Sequence, residues 1–171
     1  MIEKEEPNRS RQTKTISHIA RNRFSRYAPL LVWAALIFIG SGNVLSAEHT
    51  SILLAAVRWL FPSASEAFLA SLHFVIRKAG HLIEYAILAI LAARAFRYSF
   101  HAFIKSHWFA FALLVAAAYS LTDEFHQSFV PARTASIYDC MIDSAGALIG
   151  LIIIWFWYRG RPAEVAEHAM S

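Results

Sequence analysis

The chain has very little of what stabilises or equips a small soluble domain. One cysteine, Cys140, stands alone among 171 residues, which rules out an intrachain disulfide and a cysteine-only metal site. Charged residues make up only 16%, against roughly 25% in an average globular domain. Neither an HExxH sequence nor a G-x-S-x-G nucleophile elbow is present, so the two most readable hydrolase signatures are missing. No internal repeat relates residues 27–93 to 107–158, which argues against an inverted-repeat transporter. Apolar runs are also short: none approaches the roughly 20 residues that a helix needs to cross the hydrocarbon core.

What is present reads as membrane. Hydrophobic residues reach 57%, and the net charge of +4 is not spread over an aromatic-interleaved surface of the kind that binds nucleic acid. Seven of the sixteen Lys and Arg lie in residues 1–26, ahead of the first apolar run, so anionic lipid is the expected neighbour and nucleic acid is not. Residues 1–26 are a basic cytoplasmic tail, 27–158 the membrane domain and 159–171 a second tail. Tyr27 to Ile39 is read as the first span; a cleaved signal with Gly40 and Gly42 at its end is the alternative.

Between residues 44 and 78 the short run Ile52 to Leu60 is followed by Phe61-Pro62. Ser63 and Glu66 then match a capping box, so this stretch is expected to form one or two interfacial helices on the membrane surface. Leu82 to Ala93, Trp108 to Leu121 and Ala145 to Tyr158 supply three more spans. The expected fold is all-α: a polytopic bundle of four transmembrane helices, with short interfacial helices in the first outer loop. In that topology twelve basic residues fall on the cytoplasmic side and four outside, which places both termini in the cytoplasm.

All four short runs fall short on the same side. Reaching membrane length draws in polar residues there, and ionisable groups inside a membrane are costly unless paired or wet, so an inward-facing acidic pocket is expected at the outer end. The residues from Thr122 to Gly150 carry most of it: Asp123, Glu124, Arg133, Asp139 and Asp143. Helical spacing puts His81, Glu84 and Tyr85 on one face, pairs Asp123 with Gln127 and Asp139 with Asp143, and continues the last series through Gly146 and Gly150. Those glycines would admit a neighbouring helix closely, in the same chain or in a homodimer.

At these residues the sequence resembles the VanZ-like family of bacterial membrane proteins. The resemblance rests on Lys78-x-x-His81-x-x-x-Tyr85, Asp123-Glu124-x-x-Gln127 and Arg133-x-x-Ser136-x-x-Asp139-x-x-x-Asp143-x-x-Gly146-x-x-x-Gly150, and it covers roughly residues 30–158. Asp143 stands where many members have Asn, and Ala132 where a Gly often precedes the Arg. The resemblance implies a small polytopic envelope protein; the family's namesake raises resistance to the glycopeptide teicoplanin.

Three readings of the acidic end stay open. In the first, Lys78, His81, Glu124, Gln127, Arg133, Asp139 and Asp143 bind an anionic envelope amphiphile, such as a lipid-linked cell-wall precursor or an amphiphilic antibiotic, with Arg133 gripping the head by bidentate hydrogen bonds. In the second, His81, Glu84, Tyr85, Asp123 and Glu124 are catalytic candidates for hydrolysis or transfer on a lipid-linked phosphate. No cofactor is identified, but Asp123, Glu124, Asp139 and Asp143 suit a hard divalent metal. In the third, Arg133 with Asp139 and His81 with Glu124 are buried pairs that fix helix register. Cys140 lies beside Asp139, but no base can be assigned to make it a nucleophile.

Overall fold

The computed structural model describes residues 24–41, 55–129 and 136–160, and every regular element among them is a helix. Six helices follow in chain order: α1 Phe24–Gly40, α2 over 55–60, α3 Glu66–Arg97, α4 Ala102–Ser106, α5 Trp108–Gln127 and α6 Ile137–Arg159. Three of them, α3, α5 and α6, are long and apolar enough to cross a membrane. The first apolar run forms the shorter helix α1.

Helix α3 departs from expectation. Its 32 residues correspond to about 48 Å of helix, so the segment expected to lie on the membrane surface instead forms the opening turns of the same helix that carries Leu82 to Ala93. No proline interrupts it, and Gly80 in its interior weakens a helix by only about 1 kcal/mol relative to Ala, too little to break it. The start also shifts. The Ala64 N–H is taken by the Phe61 carbonyl in a turn, so Ser65 rather than Ser63 becomes the N-cap, its Oγ accepting from the Phe68 N–H at 3.2 Å. Glu66, expected to close the box, accepts from Arg58 Nη2 at 2.6 and 2.7 Å instead.

Helices α3, α5 and α6 pack on one another around a core of very small side chains. Ala89, Ala92, Ala93, Ala112, Ala116 and Ala147 are wholly buried, with Leu88 and Leu151 between them. The closest approach is between α3 and α6. A Cβ on Gly146 would overlap the Leu82 carbonyl, and one on Gly150 would sit 2.5 Å from the Ala86 oxygen. Both glycines are therefore used within the chain, against α3, which removes the alternative of a second chain at this face.

Helix α1 lies against this core through Leu30 and Ile37. Two long-range bonds fix it: Trp33 Nε1–H donates to the Glu84 carbonyl at 3.0 Å, and the Tyr119 hydroxyl to the Ala34 carbonyl at 2.5 Å. The outward faces carry Ile83, Leu114, Ile153, Phe156 and Trp157, a surface of the kind that lipid covers.

At the α3–α5 turn the bundle is closed by arginines over rings. Arg97 lies 4.3 Å from the Tyr158 ring, Arg159 4.4 Å from Trp155 and Arg26 4.6 Å from Phe100, while Trp108 meets Tyr158 edge-on at 5.7 Å. Between α3 and α5, residues Ala102–Ser106 form the short helix α4.

Candidate functional site

The opposite end of the bundle gathers the polar side chains, and the helical period explains how. On α3, Lys78, His81 and Tyr85 follow one another by three and four residues and point inward. On α5 the same spacing brings Ser120, Asp123, Glu124 and Gln127 to one buried face. On α6 the buried polar positions are Asp139, Cys140 and Asp143, one turn above the glycines that pull α6 onto α3. The close backbone approach at Gly146 thus positions the acids of α6 against the basic groups of α3.

Pairing follows from that juxtaposition. Lys78 Nζ is in contact with Asp139 Oδ1, and Arg77 Nη2 stands 4.0 Å from Asp139 Oδ2. His81 Nδ1 lies 3.2 Å from Asp143 Oδ1, while the Ser120 hydroxyl donates to Asp143 Oδ2 at 2.8 Å. Gln127 Nε2 donates to Asp123 Oδ2 at 2.8 Å, so this pair does share a face. Glu124 accepts from a backbone donor: the Ser136 N–H reaches its Oε2 at 2.7 Å, just before α6 begins.

These contacts revise one expected pair and add to another. The sequence pairs Asp139 with Arg133, which lies outside the described residues; among the described residues Lys78 meets Asp139. The sequence pairs His81 with Glu124, and the structure places Asp143 at its Nδ1. Glu124 is held at the start of α6 by the Ser136 N–H, and the imidazole meets Asp143 from α6 instead. Glu84 is also placed differently from His81 and Tyr85. Those two are buried, but Glu84 is only half-buried, and its backbone receives the Trp33 indole.

Three residues carry contacts that the sequence pattern does not announce. Arg77 joins Lys78 at Asp139, Ser120 holds Asp143, and Ser136 both caps α6 and holds Glu124. A signal exists for Ser120, a small polar residue three positions before Asp123 in an otherwise apolar run. Ser136 stands in the sequence as a position of the Arg133-to-Gly150 motif, which gives it no role of its own.

The cluster is closely packed and rich in acceptors. Tyr85, Asp123, Glu124, Asp139 and Asp143 are all buried, yet Asp123 Oδ1, Glu124 Oε1, Asp143 Oδ1 and the Tyr85 hydroxyl make no hydrogen bond among the described residues. Tyr85 sits at the level of Asp123, Asp143 and Ser120. Among the described residues no three His, Cys, Asp or Glu side chains are grouped to hold a metal ion. Cys140 is buried in the same cluster.

Helices of spanning length, an apolar exterior and ionisable groups turned inward at one end define a multi-pass membrane protein. Comparison with known proteins gives the same class a family. The VanZ/LLP1 family model matches residues 27–158, and the chain belongs to that family. No curated protein and no solved structure matches the chain.

Proposed function

We propose that this VanZ-family protein resides in the bacterial inner membrane with four spans and both termini cytoplasmic, and that it binds the anionic head of an envelope amphiphile at its acid-lined end. In this reading binding at that end modulates susceptibility to teicoplanin-type glycopeptides. Helix α1 supports the fourth span: it is apolar, about 26 Å long, and bonded to α3 and α5. The twelve-to-four distribution of basic residues supports the orientation.

The observation that carries the ligand class is the arrangement of charge at the mouth of the cluster. Arg77 and Lys78 share one carboxylate, Asp139, which leaves a positive charge in excess there. The Arg77 side chain is 38% exposed, so a phosphate or carboxylate can reach it, and Arg133 follows α5 in sequence as a further candidate. The test is teicoplanin susceptibility of a Gram-positive host expressing wild type, R77Q or E124Q at matched membrane levels. Protection by wild type that is lost in R77Q supports the reading. Equal protection by all three removes the acidic end from the activity, and no protection by any removes the glycopeptide phenotype.

A second reading draws on the pair His81–Asp143. A carboxylate beside Nδ1, itself held by Ser120, is how an imidazole is oriented for acid–base work. It supports hydrolysis or transfer on a lipid-linked phosphate with His81 as the proton-carrying group. In H81Q, turnover of a lipid-phosphate substrate would then be abolished while binding persists; turnover unchanged by H81Q would end this reading.

A further inference from the structure

The mouth of the cluster is positive, but the layer directly behind it wants donors. Glu124 is only 6% exposed, and its two oxygens differ: Oε2 accepts from the Ser136 N–H, while Oε1 makes no hydrogen bond among the described residues. A desolvated carboxylate oxygen without a donor is a costly arrangement unless something positive meets it. Asp139, Asp143 and Asp123 all act on Glu124 and deepen the negative field around it. Tyr85, wholly buried, lies beside two of these acids, Asp123 and Asp143.

Ser136 links this acceptor to the basic mouth. Its N–H is held by Glu124 and its carbonyl accepts the Asp139 N–H at 2.9 Å, so Glu124 and the Lys78–Asp139 pair are separated by about one helical turn. From this geometry we infer that the site takes a zwitterionic amphiphile: a phosphate at Arg77 and Lys78, and, a short spacer away, a primary ammonium donating to Glu124 Oε1. The cation is an ammonium rather than a metal ion because the described carboxylates do not group as a metal site, whereas a single carboxylate oxygen with its lone pairs free matches an N–H donor. The inference rests on the anionic-amphiphile reading above and adds to it the second charge of the head.

The test uses the full chain in an uncharged detergent with lysophospholipids of one acyl length. Lysophosphatidylethanolamine is expected to bind about tenfold more tightly than lysophosphatidylglycerol, because one charge-assisted hydrogen bond is gained. Stepwise N-methylation to the choline head removes the N–H donors one by one, and affinity should fall along that series. E124Q should bring the ethanolamine lipid down to the level of the glycerol lipid. Free phosphoethanolamine, lacking the chain, should bind far more weakly than its lipid; equal binding would make the ligand a soluble phosphate and overturn the amphiphile. Equal affinity of the ethanolamine and glycerol lipids overturns the ammonium position but leaves the anionic reading standing. Binding of neither overturns both. A preference that survives in E124Q overturns the assignment to Glu124, and the methylation series on the wild type decides the case if E124Q does not fold.

Discussion

At one end of the bundle carboxylates from α5 and α6 turn inward, those of α6 against Lys78 and His81 of α3; at the other, Arg97, Arg159 and Arg26 lie over the faces of Tyr158, Trp155 and Phe100. Both ends contain charge, but they place it differently. The arginine end keeps Arg97 and Arg159 at the perimeter, where a guanidinium can meet ring, water and lipid phosphate together, and buries only one nitrogen of Arg26. The acidic end desolvates its charges and satisfies them with partners from other helices. A charge at the perimeter can be lost with little effect on its neighbours, whereas a charge inside leaves its partner stranded. Function is therefore more economically read from the acidic end, since membrane anchoring alone accounts for the arginine end.

The comparison is broken most easily at Lys78. K78M leaves Asp139 buried with only Arg77, at 4.0 Å, to meet it among the described residues. Removing one partner of a buried pair costs about 3 kcal/mol or more, and a fall of that order is expected in detergent-titrated unfolding. The double variant K78M/D139L should recover most of the loss, because no buried charge remains. A double variant as unstable as the single one would mean that the pair does more than neutralise itself.

Glycines at the two ends sharpen the contrast next. G146A drives a methyl into the Leu82 backbone, so α3 and α6 must part, at a cost of about 1–3 kcal/mol, read as a lower thermal midpoint. G160A, at the far end of α6, meets nothing nearer than the Trp157 oxygen at 3.8 Å and should stay within about 0.5 kcal/mol of wild type. Similar costs for the two would show that α3 and α6 are not in close contact at the acidic end.

Much of the acidic end can be read from spacing, and its pairings cannot. Three- and four-residue periods are enough to bring Lys78, His81 and Tyr85 to one face, and Asp139 and Asp143 to another. Which helix each face meets depends on rotations that one sequence does not encode locally, so Asp143 rather than Glu124 meets His81, and Lys78 meets Asp139. The length of α3 is hidden for a different reason. His73, Arg77 and Lys78 interrupt hydrophobicity without interrupting helical geometry, so a hydropathy pattern shows two elements where the backbone makes one. The position of α1 is hidden because its ties run through the Trp33 indole and Tyr119 hydroxyl, residues that on an apolar helix look like interface anchors.

A smaller effect is expected where α1 joins the bundle. Y119F deletes the hydroxyl that donates to the Ala34 carbonyl and should cost about 1 kcal/mol, the net worth of one hydrogen bond. Hydrogen exchange should register it as faster opening of α1, with α3 and α6 unchanged, since none of their bonds involves Tyr119. Faster exchange throughout would mean that α1 is integral to the three-helix core.

The smallest effect belongs to the arginine end. R97Q removes the cation from the Tyr158 ring, and the loss should be about 0.5–1 kcal/mol, because the guanidinium is only half-buried and water or lipid phosphate replaces the ring as its partner in the unfolded chain. R159Q, over Trp155, should behave alike, and the two losses should add, because each arginine has its own ring. At the acidic end the corresponding pair, K78M with D139L, is expected to be strongly non-additive. Additivity is thus the discriminating quantity: independent losses at one end and coupled losses at the other follow from charge held at the perimeter and charge held inside. Strong coupling between R97Q and R159Q would mean that the arginine end is also a network, and that the polar chemistry of this protein is not confined to one end of its bundle.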